Sequence, residues 1–252
     1  MRLFRNLSIL AVLMLTACNR GTAPQAAAPE SPAAPPATPP AAAAPATLPA
    51  AAQPPLSSDP RPRLVCFGDS LTAGYGTDPG QSYPDYLQAE LDSAGYHYRV
   101  VNMGISGNTT KDGLERVRDV LALNPAVVVV EFGGNDGLRG LPIATTRANL
   151  DQIVAALLAA HTRVALAGIT LPPDYGPDYI ASFNQTYTLL ARKYHVPLLP
   201  FLLQGVFGTP GMMQADNTHA TAAGNQIVAH NVVPLVRPLL HHEQRPGAAK
   251  PR

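Results

Sequence analysis

Short apolar runs alternate with longer amphipathic stretches between residues 61 and 241. The run Val127–Val130 is β-branched throughout, which is typical of a central strand covered on both faces. The apolar runs predict strands at Arg63–Phe67, Tyr98–Asn102, Ala126–Phe132, Arg163–Gly168 and around Val196–Leu199. The amphipathic stretches predict helices at about Tyr83–Ala94, Leu114–Leu123, Thr145–Ala160 and Tyr179–Tyr194, with a last helix from about Thr221 to Leu239.

This alternation predicts an α/β fold, a parallel sheet with helices on both faces. Thr221 is the expected N-cap of the last helix, and Pro234 is expected to kink or split it. Ligands of such sheets bind at the carboxyl ends of the strands, near the point where the strand order reverses. Functional side chains are therefore expected just after the strands.

Composition separates the globular region from what precedes it. Twelve of the 27 prolines fall between Asn19 and Pro60, in a segment made mostly of Ala and Pro. Such a segment cannot bury enough apolar surface to offset its chain entropy, so residues 18–60 are expected to be an unfolded linker. Residues 61–241 form the predicted domain, and residues 242–252 a disordered tail. The net charge of +1 argues against a nucleic-acid partner.

The first residues have the pattern of a secretory signal peptide. Arg2 and Arg5 precede the apolar run Leu7–Leu15, which is too short to span a bilayer comfortably. The ending Leu15-Thr16-Ala17-Cys18 resembles the lipobox of bacterial lipoproteins. The resemblance implies a leader over residues 1–17, cleavage before Cys18 and acylation of that residue. The expected location is the bacterial cell envelope, as a periplasmic lipoprotein anchored to the inner or outer membrane; an uncleaved anchor is the alternative.

Polar, glycine-rich motifs follow the first three predicted strands. Gly68-Asp69-Ser70-Leu71 can present a serine hydroxyl at the rim of the sheet, or can simply cap a helix. The loop Asn102–Thr109 can aim a backbone N–H at an anion, although an ordinary loop would look the same. In Gly133-Gly134-Asn135-Asp136 the amide of Asn135 can donate to a developing oxyanion, the alternative being ordinary Asn/Asp turn chemistry.

A fourth motif, Asp216-Asn217-Thr218-His219, comes just before the last helix. A spacing of three places the carboxylate and the imidazole on one side of a turn, so that Asp216 can accept from Nδ1 and leave Nε2 of His219 to take a serine proton. The alternative is a lone surface histidine. Among the seven histidines only His219 has an acid three residues before it and a helix start behind it. Metal-ligand spacings are absent from the sequence, so neither a metal nor another cofactor is expected.

These four motifs resemble those of the GDSL or SGNH hydrolase family, in particular its bacterial thioesterase I, lysophospholipase and arylesterase branch. The resemblance extends from Leu64 to about Leu240 and is closest at Glu131–Gly140. It implies a three-layer, flavodoxin-like fold with five parallel strands. It also implies that Ser70 is the nucleophile, that Asp216 and His219 complete the triad, and that the oxyanion hole consists of the N–H groups of Ser70 and Gly107 and the amide of Asn135. One departure is Ala220, where the family often has proline.

The resemblance predicts a serine esterase or thioesterase that acts on a small-molecule or lipid acyl ester and works as a monomer. Leu171–Gly176 is similar to the mobile loop that covers the acyl chain in this branch. The expected acyl groove is formed by apolar residues: Leu171, Pro172, Tyr175, Phe207 and Met212. Two alternatives stay open, a carbohydrate O-acetylesterase on the same fold and a non-catalytic, tethered binding module.

Overall fold

The structure is a computed structural model that describes residues 59–241. The predicted leader (1–17), the lipidation site Cys18, most of the predicted linker and the tail (242–252) lie outside the described residues. Within residues 59–241, no helix combines the length and the apolar character that crossing a membrane requires.

Five parallel strands form one sheet in the order β2-β1-β3-β4-β5. They are β1 Arg63–Gly68, β2 Arg99–Asn102, β3 Pro125–Glu131, β4 Arg163–Ala167 and β5 Leu198–Leu199. All five predicted strands are confirmed, although β5 has only two residues. The order is the flavodoxin-like one, and it reverses direction between β1 and β3.

The helices are α1 Ser70–Ala73, α2 Tyr83–Ser93, α3 Thr110–Ala122, α4 Gly134–Leu138, α5 Ile143–Ala159, α6 Pro177–Tyr194 and α7 Ala222–Val236. Single 3-10 turns occur at Pro173–Tyr175 and Arg237–Leu239. Right-handed crossovers place α2, which connects β1 to the edge strand β2, on the face opposite α3, α5 and α6. Accordingly α2 packs against α7, and α5 packs against both α3 and α6. The predicted three-layer α/β fold is confirmed.

Capping explains where two helices begin. Helix α3 starts at Thr110, four residues before the predicted Leu114, because Thr109 and Asp112 form a capping box with N–H bonds of 2.7 and 3.5 Å. Thr221 caps α7 as predicted, since its Oγ1 accepts from the N–H of Gly224 at 3.2 Å.

Of the two effects predicted for Pro234, a kink or a split, the split does not occur: α7 runs through this residue to Val236 and then changes into a 3-10 turn. Pro234 lacks the N–H that would bond to the carbonyl of His230. Both residues are exposed, so water can satisfy that carbonyl.

The core lies on both faces of the central strands. Val127–Val130 is buried throughout, as the β-branched run predicts, and Phe67 packs edge-on against Phe132 at 4.8 Å between ring centroids. Cys66 is fully buried, as expected for a small apolar residue, and this burial raises the pKa of its thiol to about 12. The strand ends that carry the polar motifs thereby follow the buried central part of the sheet.

Candidate active site

The carboxyl ends of three neighbouring strands hold the predicted serine, glycine and asparagine. Ser70 is the first residue of α1, directly after β1, and Gly107 lies in the loop after β2. Asn135 lies in α4, directly after β3. Because β1 stands between β2 and β3, the sheet brings these residues together at the point where the strand order reverses, with all three lining one cavity.

Ser70, His219 and Asp216 form a continuous hydrogen-bonded chain. The hydroxyl oxygen of Ser70 lies 2.8 Å from Nε2 of His219, and Nδ1 of the same imidazole lies 2.6 Å from Oδ2 of Asp216. The two members of the pair are three residues apart, and the intervening Asn217 has a φ of 50°. Asparagine tolerates this left-handed conformation better than most residues. The turn folds the carboxylate back beneath the imidazole.

The environment of Asp216 keeps its carboxylate charged. Partial burial raises its pKa, but hydrogen bonds from the His219 ring and from the N–H groups of Thr218 and His219 outweigh this effect and lower the pKa to about 2. Asp216 therefore accepts from Nδ1 at any ordinary pH, which leaves Nε2 free to accept the proton of Ser70.

A second set of contacts fixes the loop that carries Asp216 and His219. The Gln214 side-chain amide donates to the carbonyls of Tyr75 at 2.7 Å and Ala220 at 2.8 Å. The ring of Tyr75 also lies 4.5 Å from that of His219, between centroids. The imidazole is thus held from one side by the Asp216 carboxylate and from another by an aromatic ring. The turn is held by these contacts although Ala220 stands where the family often has proline.

Two backbone N–H groups at the site are available as donors. Within residues 59–241, neither Ser70 nor Gly107 donates its N–H to a protein acceptor. Gly107 has a φ of 83°, a conformation that glycine adopts without strain, and its carbonyl accepts from Arg139 at 3.1 Å. Unpaired N–H groups beside a serine hydroxyl are what an anion-binding hole requires.

The Asn135 amide reaches the same cavity but is already engaged. Its Nδ2 donates to Oδ2 of Asp69 at 3.1 Å and to the carbonyl of Asn108 at 2.9 Å. These bonds fix the plane of the amide, and an incoming oxygen has to share one N–H in a three-centre bond, an arrangement that is common in proteins.

Beneath Ser70 lies a buried pair of acids to which the sequence analysis assigned no role. Asp69 and Glu131 are 2% and 0% exposed, and Oε2 of Glu131 accepts from the Asp69 N–H at 3.3 Å and from Oγ1 of Thr72 at 2.8 Å. Burial raises the pKa of Asp69 to about 6 and that of Glu131 well above its ordinary value. Burial therefore favours the uncharged form of Glu131, and its Oε1 has no partner in the described residues.

Gly68 allows Glu131 to pack here because it has no side chain, and not because of its backbone conformation. A Cβ at Gly68 would lie 2.4 Å from Oε2 of Glu131 and 2.1 Å from Oγ1 of Thr72. The missing side chain of Gly68 therefore leaves room for the acid. Gly133 differs, because its φ of 119° is a conformation that favours glycine.

The cavity has a volume of about 330 Å³ and is mostly apolar. Three of the five residues predicted for the acyl groove line it: Leu171, Pro172 and Phe207. Tyr175 and Met212 lie outside the lining. Tyr175 donates its hydroxyl to the carbonyl of Leu138 at 2.8 Å, and Met212 packs against the core, so contact of these two residues with an acyl chain stays a prediction.

Further apolar residues complete the cavity wall: Leu71, Tyr75, Leu138, Ile169, Phe201 and Leu203. They come from short helices and loops that are distant in sequence, and no local pattern marks them. Asp136, next to Asn135, points elsewhere; it accepts from the N–H of Thr110 at 2.8 Å and so ties α4 to the start of α3. Across residues 59–241, no cluster of three or more His, Cys, Asp or Glu side chains is arranged to hold a metal ion.

A parallel doubly wound sheet that carries this serine, histidine and aspartate chain at its carboxyl edge is the structure of a serine hydrolase. The GDSL-like lipase/acylhydrolase family model matches residues 66–227. The chain belongs to this family of carboxylic ester hydrolases.

Curated relatives and a solved structure agree with this assignment. Esterase TesA of Pseudomonas aeruginosa is 45% identical over 178 residues, which is 70% of this chain and 89% of the relative. Thioesterase 1/protease 1/lysophospholipase L1 of Escherichia coli strain K12 is 37% identical over 181 residues, or 71% of this chain and 86% of the relative. A crystal structure of TesA, 45% identical, superposes with a TM-score of 0.69 over 71% of this chain and 99% of that one.

Proposed function

We propose that this protein is a serine esterase or thioesterase in which Ser70 is the nucleophile. His219 takes the proton from the Ser70 hydroxyl as Oγ attacks the acyl carbonyl carbon, and Asp216 stabilises the imidazolium that forms. The carbonyl oxygen becomes an oxyanion, which accepts hydrogen bonds from the N–H groups of Ser70 and Gly107 and from the Asn135 amide.

The tetrahedral intermediate then collapses into an acyl-enzyme. The bond to the leaving oxygen or sulfur breaks, and His219 returns its proton to the departing alcohol or thiol. A water molecule repeats the sequence: His219 takes its proton, the hydroxide adds to the acyl carbon, and Ser70 leaves with the proton of the imidazolium. The products are the alcohol or thiol and a carboxylic acid.

One observation carries this proposal: the chain from Ser70 through His219 to Asp216, with bonds of 2.8 and 2.6 Å, ends beside two unpaired N–H groups in an apolar cavity. A non-catalytic module would need none of these groups to be aligned. Hydrolysis of p-nitrophenyl esters decides between an esterase and a non-catalytic binding module.

The test measures turnover of p-nitrophenyl butyrate by four proteins. These are the full chain, a fragment of residues 59–241, the variant Ser70→Ala and the control variant Ser93→Ala, which lies on the exposed end of α2. Turnover by the wild-type chain and the control but not by Ser70→Ala supports the proposal. Turnover that survives in Ser70→Ala, or its absence from the wild-type chain on all ester and thioester substrates, contradicts it.

The cavity favours a medium or long acyl chain over acetate. Its wall is built from aliphatic and aromatic side chains, among them Leu171, Phe201 and Leu203, while a sugar would require a polar cleft. Each buried CH₂ contributes about 0.8 kcal/mol, or about fourfold in binding. Rates on p-nitrophenyl esters should rise with chain length and then level off. A steep fall beyond acetate would favour the carbohydrate O-acetylesterase instead.

The relatives narrow the substrates worth testing. Their names describe an esterase, a thioesterase and a lysophospholipase, so a panel of aryl esters, acyl-CoAs, lysophospholipids and acetylated sugars covers the proposed range and the alternative. Relative kcat/KM across the panel ranks these substrates, because it measures differential stabilisation of their transition states.

The proposed cellular location rests on the first residues of the chain. The apolar run Leu7–Leu15 followed by Leu-Thr-Ala-Cys supports cleavage before Cys18, lipidation of this residue and anchoring of a periplasmic domain in a membrane of the cell envelope. Cys18→Ser should release the protein from membranes or leave its leader uncleaved. Mass spectrometry that finds a different, unlipidated N-terminus would contradict the proposal.

A further inference from the structure

Arg116, a half-buried residue of α3, makes three hydrogen bonds that converge on the strand ends of the active site. Its Nη2 donates to the carbonyl of Gly68 at 2.8 Å, its Nη1 to the carbonyl of Met103 at 2.8 Å and its Nε to Oδ1 of Asn108 at 2.7 Å. Its guanidinium carbon lies 4.6 Å from the centre of the Phe67 ring. Three of the five N–H groups of the side chain are thus engaged, one from each nitrogen.

Each acceptor belongs to a segment that supplies an oxyanion donor. Gly68 lies two residues before Ser70, and Met103 and Asn108 flank the loop that contains Gly107. Asn108 accepts two of the hydrogen bonds: its side chain accepts from Arg116, and its backbone carbonyl accepts from the Asn135 amide at 2.9 Å. One guanidinium therefore bonds directly to the segments of Ser70 and Gly107, and it reaches the segment of Asn135 indirectly, through Asn108.

The Arg116 guanidinium forms no ion pair within residues 59–241. Among residues 59–241 no carboxylate oxygen lies within salt-bridge distance of it, and the acceptors are amide or peptide oxygens. Burial lowers the pKa of the guanidinium, the carboxylates of Asp119, Asp112 and Asp69 oppose this effect, and arginine stays protonated in proteins. Bonds from a charged donor are about twice as strong as neutral ones, which makes this an effective clamp.

We infer that Arg116 is a positioning residue of the oxyanion hole, which sets the distance between the segments of Ser70, Gly107 and Asn135 without touching the substrate. The inference rests on the proposed function of these three residues. A lysine cannot take its place, since an ammonium is a point donor and lacks the planar fork that reaches three oxygens in fixed directions.

Arg116→Lys tests the inference, with Arg118→Lys on the exposed side of the same helix as a matched control. A misplacement of about 1 Å in a catalytic constellation can lower the rate about 10²-fold. We expect kcat on a p-nitrophenyl ester to fall by about this factor in Arg116→Lys while KM changes little, and both constants to stay unchanged in Arg118→Lys. Thermal melting shows whether each variant is folded.

A double-mutant cycle separates positioning from a general loss of stability. Arg116→Lys introduced into Asn135→Ala should lower kcat by a factor at least severalfold smaller than it does in the wild-type chain, because both changes disable the same hole. If Arg116 had a purely structural role, the factors by which the two substitutions lower kcat would multiply in the double variant. Asn108→Ala, which removes only the Nε acceptor, should give a smaller kcat loss of the same kind and decides the matter if Arg116→Lys does not fold.

Three results would overturn the inference: full kcat in a folded Arg116→Lys, a change confined to KM, or fully multiplicative losses in the cycle. If Arg116→Lys does not fold, full kcat in Asn108→Ala overturns it as well. The wild-type chain provides the separate check on the function itself, since its failure to hydrolyse any ester would refute the proposed function, whereas an active Arg116→Lys refutes only the role of Arg116.

Discussion

In the proposed mechanism, the Asn135 side chain is positioned in advance for a charge that exists only in the transition state. Its amide is oriented by the carboxylate of Asp69 and by the carbonyl of Asn108 before any substrate arrives. A preorganised donor does not have to reorient when the oxyanion forms, and for this reason such donors contribute strongly to catalysis.

Asn135→Ala should lower kcat about 10²–10³-fold, a loss of about 3–4 kcal/mol, and leave KM nearly unchanged. The reason is that an amide N–H binds the charged intermediate far better than the neutral carbonyl. Steady-state kinetics on a p-nitrophenyl ester provides the measurement, with Asn231→Ala as control because Asn231 bonds only to the Gln204 carbonyl on the surface. Near-normal kcat, or a rise in KM alone, would make Asn135 a turn residue.

Glu131 is a buried acid whose surroundings favour the protonated, uncharged form. It is fully buried, accepts two hydrogen bonds through one oxygen and leaves the other without a partner in residues 59–241. A neutral carboxyl fits this environment better than a carboxylate, in agreement with its raised pKa.

Glu131→Gln should therefore leave the free energy of unfolding at pH 7 within about 1 kcal/mol of the wild-type value, because the amide oxygen can accept the same bonds. Glu131→Leu should cost about 1–3 kcal/mol, since the Asp69 N–H is then buried without an acceptor. Urea unfolding compares the two variants. Equal destabilisation by Gln and Leu would mean that a negative charge on Glu131 is required.

At the scale of elements, the start of α7 determines where His219 stands. The helix begins three residues after His219, and its cap Thr221 accepts from Gly224 at 3.2 Å while donating to the carbonyl of Gly211 at 2.9 Å. Gly224 packs tightly against the loop before the triad, since a Cβ there would lie 2.2 Å from the Met212 carbonyl. The cap thus couples the helix to the triad loop.

Thr221→Ala should lower the free energy of unfolding by about 1 kcal/mol, the usual effect of removing an N-cap, and Thr221→Ser should restore most of it because serine keeps the hydroxyl. Chemical denaturation monitored by circular dichroism provides the measurement. If Ser and Ala were equally destabilising, the methyl group of Thr221 rather than its hydroxyl would be the stabilising group.

For the molecule as a whole, the buried acids make stability depend on pH. The pKa of Asp69 is about 6 in the folded state, whereas its ordinary value is 3.8. Below pH 3.8 both states hold the proton, and between 3.8 and 6 only the folded state does. The stabilising contribution of the bound proton is therefore complete at low pH and is lost as pH rises through about 6.

Asp69→Asn should remove this dependence, because the amide does not titrate. The difference in unfolding free energy between the wild-type protein and the variant should shift by up to about 3 kcal/mol between pH 4 and pH 7, with the wild-type protein losing stability as pH rises. Urea titrations at several pH values measure it, and Asp78→Asn on the exposed loop after α1 is the control. Parallel pH curves for Asp69→Asn and wild type would contradict the assignment.

The sequence by itself determined the order of the strands and of the five longer helices along the chain and the identity of the main candidate site residues, whereas the short helices α1 and α4 were not predicted. Both depend on local patterns: the valine run of β3 reflects burial on two faces, and the spacing of Asp216 and His219 reflects a single turn. Motifs at strand ends can be located without coordinates because parallel strands bring their carboxyl ends to one edge of the sheet. The boundary errors, as at Thr110, arise because a cap competes with apolar periodicity as a start signal.

Only the tertiary structure decided what surrounds those residues. The clamp formed by Arg116, the raised pKa of Glu131 and the ring of Tyr75 against His219 depend on contacts between residues that are 8 to 144 positions apart along the chain, such as Arg116 with Asn108 and Tyr75 with His219. The same is true of the cavity wall, which includes Phe201 and excludes Tyr175 and Met212. Burial, pKa and packing are set by distances between segments, and a periodic pattern carries no information about these distances.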